Sequence, residues 1–371
     1  MVETLPTSLK GGELLVNLSN KRTTMYSSDI DAMKALWLRC FEDDPRFVNL
    51  FYSAFNKPIN YRLIKEEGQV VAMLHHLEGY SLPYCSEMME GAYYYALATE
   101  PSHRKRGLMG QLIIETMQEM RSLKKEFCVT IPANRDLFNY YSRFGFIPAF
   151  KRIRERWNKE APIPAGAKLL KKVSDRAIIQ YALANRYAVL PQQELRLDMT
   201  ASQVAMRDIC NNGGYIALLN RGEQGDNEVQ AIVEHQGQSL LIRHYLSANN
   251  QELDLLFTLI KQSSDLPLYI EHRALQTDDD PGYFGMIRLL NAYRYLQAYG
   301  VEHPFDEMSF YLIDNQVPLN TGLYQIKRGE LFFKPNASPI TGGTSCPIIT
   351  IQTLTKWICS NQNLYMGLMM D

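Results

Sequence analysis

One stretch of the chain constrains its fold more than any other, because a β-rich run, a basic loop and an amphipathic helix follow one another directly. The run GAYYYALAT predicts a strand that ends at Pro101, and from Leu108 onward apolar residues recur at helical spacing. A strand that leads straight into an amphipathic helix places that helix on one face of a sheet. The same alternation continues on both sides of this stretch, so we predict an α/β chain built on mixed sheets.

The predicted elements fall into three units. Residues 1–158 give the order helix, helix, hairpin, strand, helix, strand, helix, strand, and the run APIPAGAK then interrupts the pattern. Residues 159–280 repeat that order without repeating the residues, so both a degenerate duplication and two unrelated α/β units remain open. Residues 281–371 predict a small α+β domain that starts with a helix over 286–300.

Composition narrows the class of protein. The 39 basic and 40 acidic side chains nearly cancel, which gives no general reason to expect nucleic acid or a membrane surface as partner. No stretch approaches the ~18 apolar residues of a membrane span. The six cysteines never occur at C-x-x-C spacing, which favours reduced thiols and a cytoplasmic location, and no metal site is expected.

A local basic cluster stands out against this neutral background. Arg104, Lys105 and Arg106 precede Gly107 at the start of the predicted helix. The first turn of a helix leaves about four N–H groups without helical partners, and its dipole favours an anion there. Glycine lets a ligand approach the backbone closely, so the loop is a candidate phosphate site.

These residues carry a resemblance to a known family. The motif R-K-R-G-L-M after a strand and a proline resembles the pyrophosphate loop of the GNAT acyl-CoA-dependent N-acetyltransferases. Together, P-S-H-R-K-R-G-L-M and the later Y-S-R-F-G-F resemble the Eis-like subgroup, which has a catalytic GNAT domain, a degenerate GNAT-like domain and a domain similar to sterol carrier proteins. Met109 departs from the small residue of the general motif, and Gly110 follows it.

The resemblance implies a fold of tandem GNAT-like acyltransferase units followed by a sterol-carrier-like domain. It also implies acetyl-CoA as cosubstrate, with an amine or lysine-bearing acceptor. A homo-oligomer would match related proteins. The implied cofactor-binding residues are the strand end, the loop with the helix start, and the next helix start: Leu97, Ala98, Thr99, Arg104, Lys105, Arg106, Gly107, Leu108, Met109, Gly110, Asn134 and Asp136.

Two catalytic residues follow from the same resemblance. Tyr141 falls on the family's general acid, and Asp371 would supply a C-terminal carboxylate as general base. The chemistry is consistent with this, since a thiolate of reference pKa about 8.5 leaves and needs a proton. The central unit lacks both a glycine and a basic cluster at the equivalent loop, so we expect it to serve as a scaffold.

Several features have a structural interpretation as well as a functional one. His75 and His76 are adjacent on a strand, so at most one faces a cleft, and a structural role is favoured. The acidic run from Glu42 to Asp44 would attract a cationic substrate or would simply be a solvated helix end. Two rival functions remain: a binding protein with a vestigial GNAT unit and an apolar ligand in residues 285–371, or an assembly protein.

Overall fold

The computed structural model describes residues 27–55, 60–187, 194–221, 229–247, 249–273, 282–335, 337, 340–341, 344–360, 362 and 364–366. Within these ranges no helix is long and apolar enough to cross a membrane. The helices are α1 Ser27–Cys40, α2 Pro45–Ala54, α3 Leu108–Ser122, α4 Arg135–Ser142, α5 Asp175–Tyr187, α6 Met199–Asn211, α7 Asn250–Gln262, α8 Ala292–Glu302 and α9 Ile351–Cys359.

Most strands join one large mixed sheet. Its order is β1-β2-β3-β4-β11-β5-β10-β9-β8-β7-β6, and the mixed α/β fold class predicted from the sequence is confirmed. These strands are β1 Tyr61–Glu66, β2 Gln69–Tyr84, β3 Glu87–Thr99, β4 Phe127–Thr130, β5 Ile147–Arg156, β6 Lys168–Lys172, β7 Tyr215–Asn220, β8 Gln230–Gln236, β9 Ser239–Leu246, β10 Leu268–Arg273 and β11 Tyr283–Leu289.

The first half of this sheet has an apolar core on each face. Strands β1 to β3 form an antiparallel meander, and β4 pairs with β3 in parallel. Because successive strand residues face opposite sides, Tyr93 packs with the core under α1 and α2, whereas Tyr94 packs with the core under α3. The sheet thus separates two compartments, one beneath α1 and α2 and the other beneath α3 and α4.

The second half repeats the connectivity of the first. Strands β6 to β9 form an antiparallel meander, and α7 leads to β10, which pairs with β9 in parallel. Asn249 caps the start of α7 through its side-chain oxygen, and no glycine or basic cluster lies there in the described residues. The two halves are therefore tandem GNAT-like folds that differ at the loop where the basic cluster was noted.

Two strands interlock the halves. Residues Ile147–Lys151 of β5 pair with β11, and residues 152–156 of the same strand pair with β10. Strand β11 also pairs with β4, so it completes the first half of the sheet from more than a hundred residues downstream. The helix predicted over 286–300 is wrong for Met286–Leu289, which are strand, and helical structure begins at Ala292.

The remaining strands form small sheets near the end of the chain. The four-stranded sheet has the order β14-β13-β12-β17, and α8 and α9 pack against it and against the large sheet. Its strands are β12 Met308–Ile313, β13 Gly322–Lys327, β14 Glu330–Pro335 and β17 Ile348–Thr350. A separate two-stranded sheet consists of β15 Ile340–Thr341 and β16 Thr344–Ser345. Residues 364–366 return to the large sheet, where Leu364 bridges to Phe150.

Candidate active site

The site begins where two parallel strands separate. Strand β3 pairs with β4 only from Gly91 to Tyr93, and beyond that point β3 continues to Thr99 with β2 as its partner. Just beyond the last backbone pair between β3 and β4, the Thr130 hydroxyl of β4 donates a hydrogen bond to the Tyr94 carbonyl of β3 at 3.1 Å. Among the described residues, no strand pairs with the β4-facing edge of β3 over Leu97 and Ala98, as an added strand would require, and the Thr99 carbonyl that follows accepts from Arg104 Nε.

A β-bulge marks the middle of this open edge. Met73 pairs with Ala98 and His75 pairs with Tyr95, so β3 carries one extra residue between these pairs. Ala96 has a φ of 46°, which is uncommon outside glycine and characteristic of such bulges. The bulge redirects the backbone groups of β3 at the point where the strands part. Bulges of this kind are frequent beside active sites.

The loop after β3 presents unpartnered backbone amides. Lys105 and Gly107 both have positive φ, at 64° and 82°, and Gly107 caps α3 without a side chain. A Cβ on Gly107 would meet no atom within 4 Å, so the left-handed conformation is what requires glycine there. The N–H groups from Lys105 to Gly110 donate to no acceptor in the described residues. Consecutive free amides at a helix start form an anion site.

The basic side chains of this loop are mostly engaged by protein groups. Arg104 donates through Nε to the Thr99 carbonyl at 3.2 Å. Arg106 makes two bonds to the Glu66 carboxylate, at 2.9 and 2.7 Å, and these bonds hold the pKa of that carboxyl below its usual range. Lys105 is exposed and has no ion pair in the described residues. Within the described part of the loop, a bound anion would therefore be held by the free amides and Lys105 more than by the basic cluster as predicted.

Helix α4 follows β4 and begins at Arg135. The Asn134 side chain accepts from the Leu137 N–H at 3.2 Å and so caps the helix, and Asp136 lies exposed in its first turn. Gly110 of α3 approaches α4 closely, since a Cβ there would lie 3.1 Å from the Phe144 ring. The predicted residues Leu108, Met109 and Gly110 therefore form the first turn of α3, and Gly110 also allows the two helices to pack.

Tyr141 lies between the two helices and the splayed strands. Its side chain retains 6% exposure and packs with Phe146 and Tyr140. Its hydroxyl is beside the Thr130 hydroxyl, which bridges to β3. Burial raises the pKa of Tyr141 well above its ordinary value, so the phenol keeps its proton throughout the neutral range.

Residues 22–149 match the family model of the Acetyltransferase (GNAT) domain. The match spans α1 to the start of β5 and includes the splayed strands, the amide loop and Tyr141. No curated protein matches the chain.

Solved structures share the fold over nearly the whole chain. A probable N-acyltransferase from Enterococcus faecalis V583 is similar with TM-score 0.69 and 13% identity, over 93% of this chain and 96% of that one. A GCN5-related N-acetyltransferase from Anabaena variabilis has TM-score 0.68 and 16% identity, covering 90% and 88%. Eis1 from Mycobacterium abscessus has TM-score 0.64 and 10% identity, covering 89% and 87%.

A cavity of about 240 Å³ opens on the opposite face of the GNAT sheet, next to the bulge. Tyr95 forms part of its wall, one residue before Ala96. Its other walls come from the α1–α2 connection, α6 and strands β8 and β9. The polar side chains that line it are mostly acidic: Glu42, Asp43, Asp44, Asp208, Asn212, Glu234 and Arg243.

The charges of this acidic cavity are only partly balanced. Arg243 is its one lining cation in the described residues and pairs with Glu234 at 3.3 Å. The Trp37 indole N–H donates to Asp43 at 2.7 Å, which fixes that carboxylate. Burial raises the pKa of Asp208, and a hydrogen bond from Asn212 lowers it. The charges of Asp43 and Asp44 raise this pKa further, whereas Arg46, which pairs with Asp44 at 2.6 Å, lowers it. Neighbouring carboxylates repel one another, and a bound cation reduces this repulsion and stabilises their charged forms.

His75 and His76 lie in the core, as the structural interpretation of the sequence predicted. His75 and His76 are both fully buried, and burial lowers their pKa values to about 4 and about 3, so both stay neutral at pH 7. His75 lies 2.9 Å from the Tyr52 hydroxyl, within the core. Asp371 lies outside the described residues. Within those residues, no group of three His, Cys, Asp or Glu side chains is placed to hold a metal ion.

Proposed function

We propose that this protein is an N-acetyltransferase that moves an acetyl group from acetyl-CoA to a primary amine by direct attack in a ternary complex. The observation that carries the proposal is the row of free amides from Lys105 to Gly110 beside the open edge of β3. The amides suit a pyrophosphate, and the open edge suits the amide groups of a pantetheine arm. Of that edge, the Thr99 carbonyl is already engaged by Arg104, which leaves Leu97 and Ala98 as the main partners.

The proposed chemistry assigns few tasks to side chains. When bound, acetyl-CoA would supply an activated acyl group, and in this proposal the backbone of β3 at the bulge would hold the acyl end of the cosubstrate. The neutral amine forms a C–N bond to the acyl carbon as the C–S bond breaks, and the departing sulfur takes a proton from a donor. The proton lost by the acylated nitrogen returns to that donor, so the reaction leaves the protein unchanged. Tyr141 is the donor in this proposal, because its buried phenol is protonated at all working pH values. Since the phenol is a weaker acid than a thiol, the transfer must accompany C–S cleavage.

The acidic cavity indicates the class of acceptor. An amine held directly among carboxylates would keep its proton and could not attack. A polyamine avoids this conflict, because in this proposal one ammonium group occupies the cavity beside Asp43 and Asp208 while a second, neutral amine reacts. Tyr95 supports this arrangement, since it lines the cavity and directly precedes Ala96 in the bulge. We therefore propose a linear polyamine or similar small polycation as the acceptor, ahead of a lysine side chain.

The first experiment measures thiol release from acetyl-CoA with spermidine and with butylamine as acceptors. We expect spermidine to react with at least tenfold higher kcat/KM at low salt, and the ratio to fall in 0.5 M salt because screening weakens the cavity's attraction. Absence of thiol release with every amine, despite intact acetyl-CoA binding, would contradict transfer to an amine.

Removing charge from the acidic cavity tests the acceptor site alone. We expect the Asp43→Asn and Asp208→Asn substitutions together to raise KM for spermidine about tenfold, since two carboxylates of the cavity are lost, and to leave KM for acetyl-CoA unchanged. Steady-state kinetics checks this. The control is Asp265→Asn, an exposed carboxylate between α7 and β10, which should change neither constant.

Other parts of the proposal concern the family subgroup and assembly. An Eis-like identity is supported by the fold shared with Eis1 over 89% of the chain. The division into units at 158/159 and 280/281, with a sterol-carrier-like last domain, belongs to the same proposal. Asp371 as general base, a homo-oligomer and a cytoplasmic location stay predictions.

One observation favours the alternative of an apolar ligand in the last domain. A cavity of about 310 Å³ lies where α8 and α9 meet the β2–β3 turn, and aromatic rings of Tyr84, Tyr299 and Trp357 line it. Titration of the protein with an apolar fluorophore would show quenching of Trp357 if this cavity takes such ligands. The alternative also requires that acetyl-CoA does not bind, so the two functions are separable.

A further inference from the structure

The C-terminal end of α4, which carries Tyr141, is held by side chains from outside the segment that matches the GNAT family. The Ser142 carbonyl accepts from Gln352 Nε2 at 2.5 Å, and the Arg143 carbonyl accepts from Gln316 Nε2 at 3.2 Å. The Phe144 carbonyl accepts from Arg288 Nε at 2.8 Å. Carbonyls at a helix end lack helical partners, so these three consecutive bonds cap the helix.

The capping side chains are themselves fixed. Arg288 on β11 is fully buried and donates to Asp314, also fully buried, at 2.6 Å. Asp314 in turn accepts from the backbone N–H groups of Gln316 and Val317, at 3.2 and 3.0 Å. A buried ion pair with its remaining hydrogen bonds satisfied rigidifies its surroundings. The loop that presents Gln316 is therefore anchored to the large sheet.

The backbone at the capped end is shaped to receive these groups. Gly145 has a φ of 86°, and a Cβ there would lie 3.0 Å from Ile351 and 3.1 Å from Arg288. Glycine is thus required by conformation and by the close approach of α9 and β11 together. Ile351 is the first residue of α9, and Gln352 follows it.

Ser142, whose carbonyl is capped by Gln352, directly follows Tyr141 in the chain. Helix α4 has only 8 residues, so its own hydrogen bonds hold it weakly. Val317 packs in the same apolar cluster as Tyr141, Leu112 and Met286. The position of α4 on the sheet beside the splayed strands therefore depends on Gln316, Val317 and Gln352, which lie more than 170 positions downstream in the chain.

We propose that Gln316 and Gln352 are positioning residues that hold α4 so that the Tyr141 hydroxyl points at the departing sulfur. The last domain is then a working part of the transferase site. This inference rests on the proposed function, since it concerns the donor that function requires.

The test is a double-mutant cycle on the full chain. The combined substitutions Gln316→Ala and Gln352→Ala are expected to lower kcat about tenfold and to change KM for acetyl-CoA less than twofold. In a Tyr141→Phe background the same pair should change kcat less than twofold, because the group it positions is gone. Gln325→Ala, which removes a weak bond to Ser309 within the last domain, is the control and should leave kcat unchanged.

A loss of kcat as large in the Tyr141→Phe background would overturn the proposal, because the glutamines would then act independently of Tyr141. Hydrogen exchange gives a second readout that does not need activity. The amides at the end of α4 should exchange at least tenfold faster in the double glutamine variant than in the wild-type protein. If the wild-type enzyme is active and the variant shows the same exchange rates, the positioning role is overturned and the proposed function is not. A wild-type chain that binds acetyl-CoA but transfers to no amine would overturn the proposed function and this role with it.

Discussion

Replacing Gly107 with glutamate is expected to abolish acetyl-CoA binding, with an affinity loss of at least about 100-fold. A side chain at this position must adopt a φ near 82°, which costs about 1–2 kcal/mol. More importantly, the new carboxylate lies among the free amides of Lys105 to Gly110 and competes for them with the pyrophosphate. Calorimetric titration of acetyl-CoA into the wild-type and variant proteins measures the loss directly.

Gly166 provides a matched control for this substitution. It has a φ of 88° and open space around its Cβ position, as Gly107 has, but it lies in the turn before β6. Gly166→Glu should therefore carry the same backbone cost and leave acetyl-CoA affinity unchanged. Equal binding by the Gly107→Glu variant would show that the loop does not hold the cofactor.

Replacing Tyr141 with phenylalanine is expected to lower kcat about 100-fold, within the range ascribed to general acid catalysis. The hydroxyl is removed while the ring remains in its apolar cluster, so acetyl-CoA affinity should change less than twofold. The measurement is a comparison of kcat from thiol release with Kd from calorimetry. A fall in kcat without a change in acetyl-CoA affinity identifies a group that acts only in the transition state.

Tyr140→Phe is the control, since this neighbour lies on the same helix and its pKa is also raised by burial. We expect less than a threefold change in kcat for this variant. If both substitutions reduce kcat equally, or if Tyr141→Phe weakens acetyl-CoA binding as much as it reduces kcat, Tyr141 is not the acid.

Sequence reasoning succeeds where local pattern decides the structure. The strand before Pro101, the helix from Leu108 and the helix that contains Trp37 are all present, because their apolar spacing and flanking residues are strong local signals. The mixed α/β class follows from the order of these elements.

Long-range pairing could not be predicted in the same way. Met286 to Leu289 are fully buried on a central strand, and a short apolar run of this kind has no periodicity that separates strand from helix. The partners of Arg106 and Arg104 also depend on tertiary contacts, so the basic cluster seemed more available to phosphate than it is.

The acidic cavity was the part of the structure that the sequence predicted least well. The acidic run near Asp43 was noted, but Asp208 and Glu234 join it from the other half of the sheet, more than 160 residues away. The bulge at Ala96 has no sequence signal, because alanine rarely adopts a positive φ. The sequence alone shows neither that distant acidic residues meet in one cavity nor that Ala96 has an uncommon backbone conformation.

The insertion of β11 between β4 and β5 has a consequence for how the molecule is made on the ribosome. When β5 emerges, the gap beside β4 has no occupant, and the missing strand, Tyr283–Leu289, is synthesised only after the whole second half. A nascent chain carrying the segment matched by the family model therefore exposes two unpaired strand edges until late in translation, and such edges favour misassociation. The sheet beneath the candidate active site is therefore completed only after Tyr283–Leu289 has left the exit tunnel.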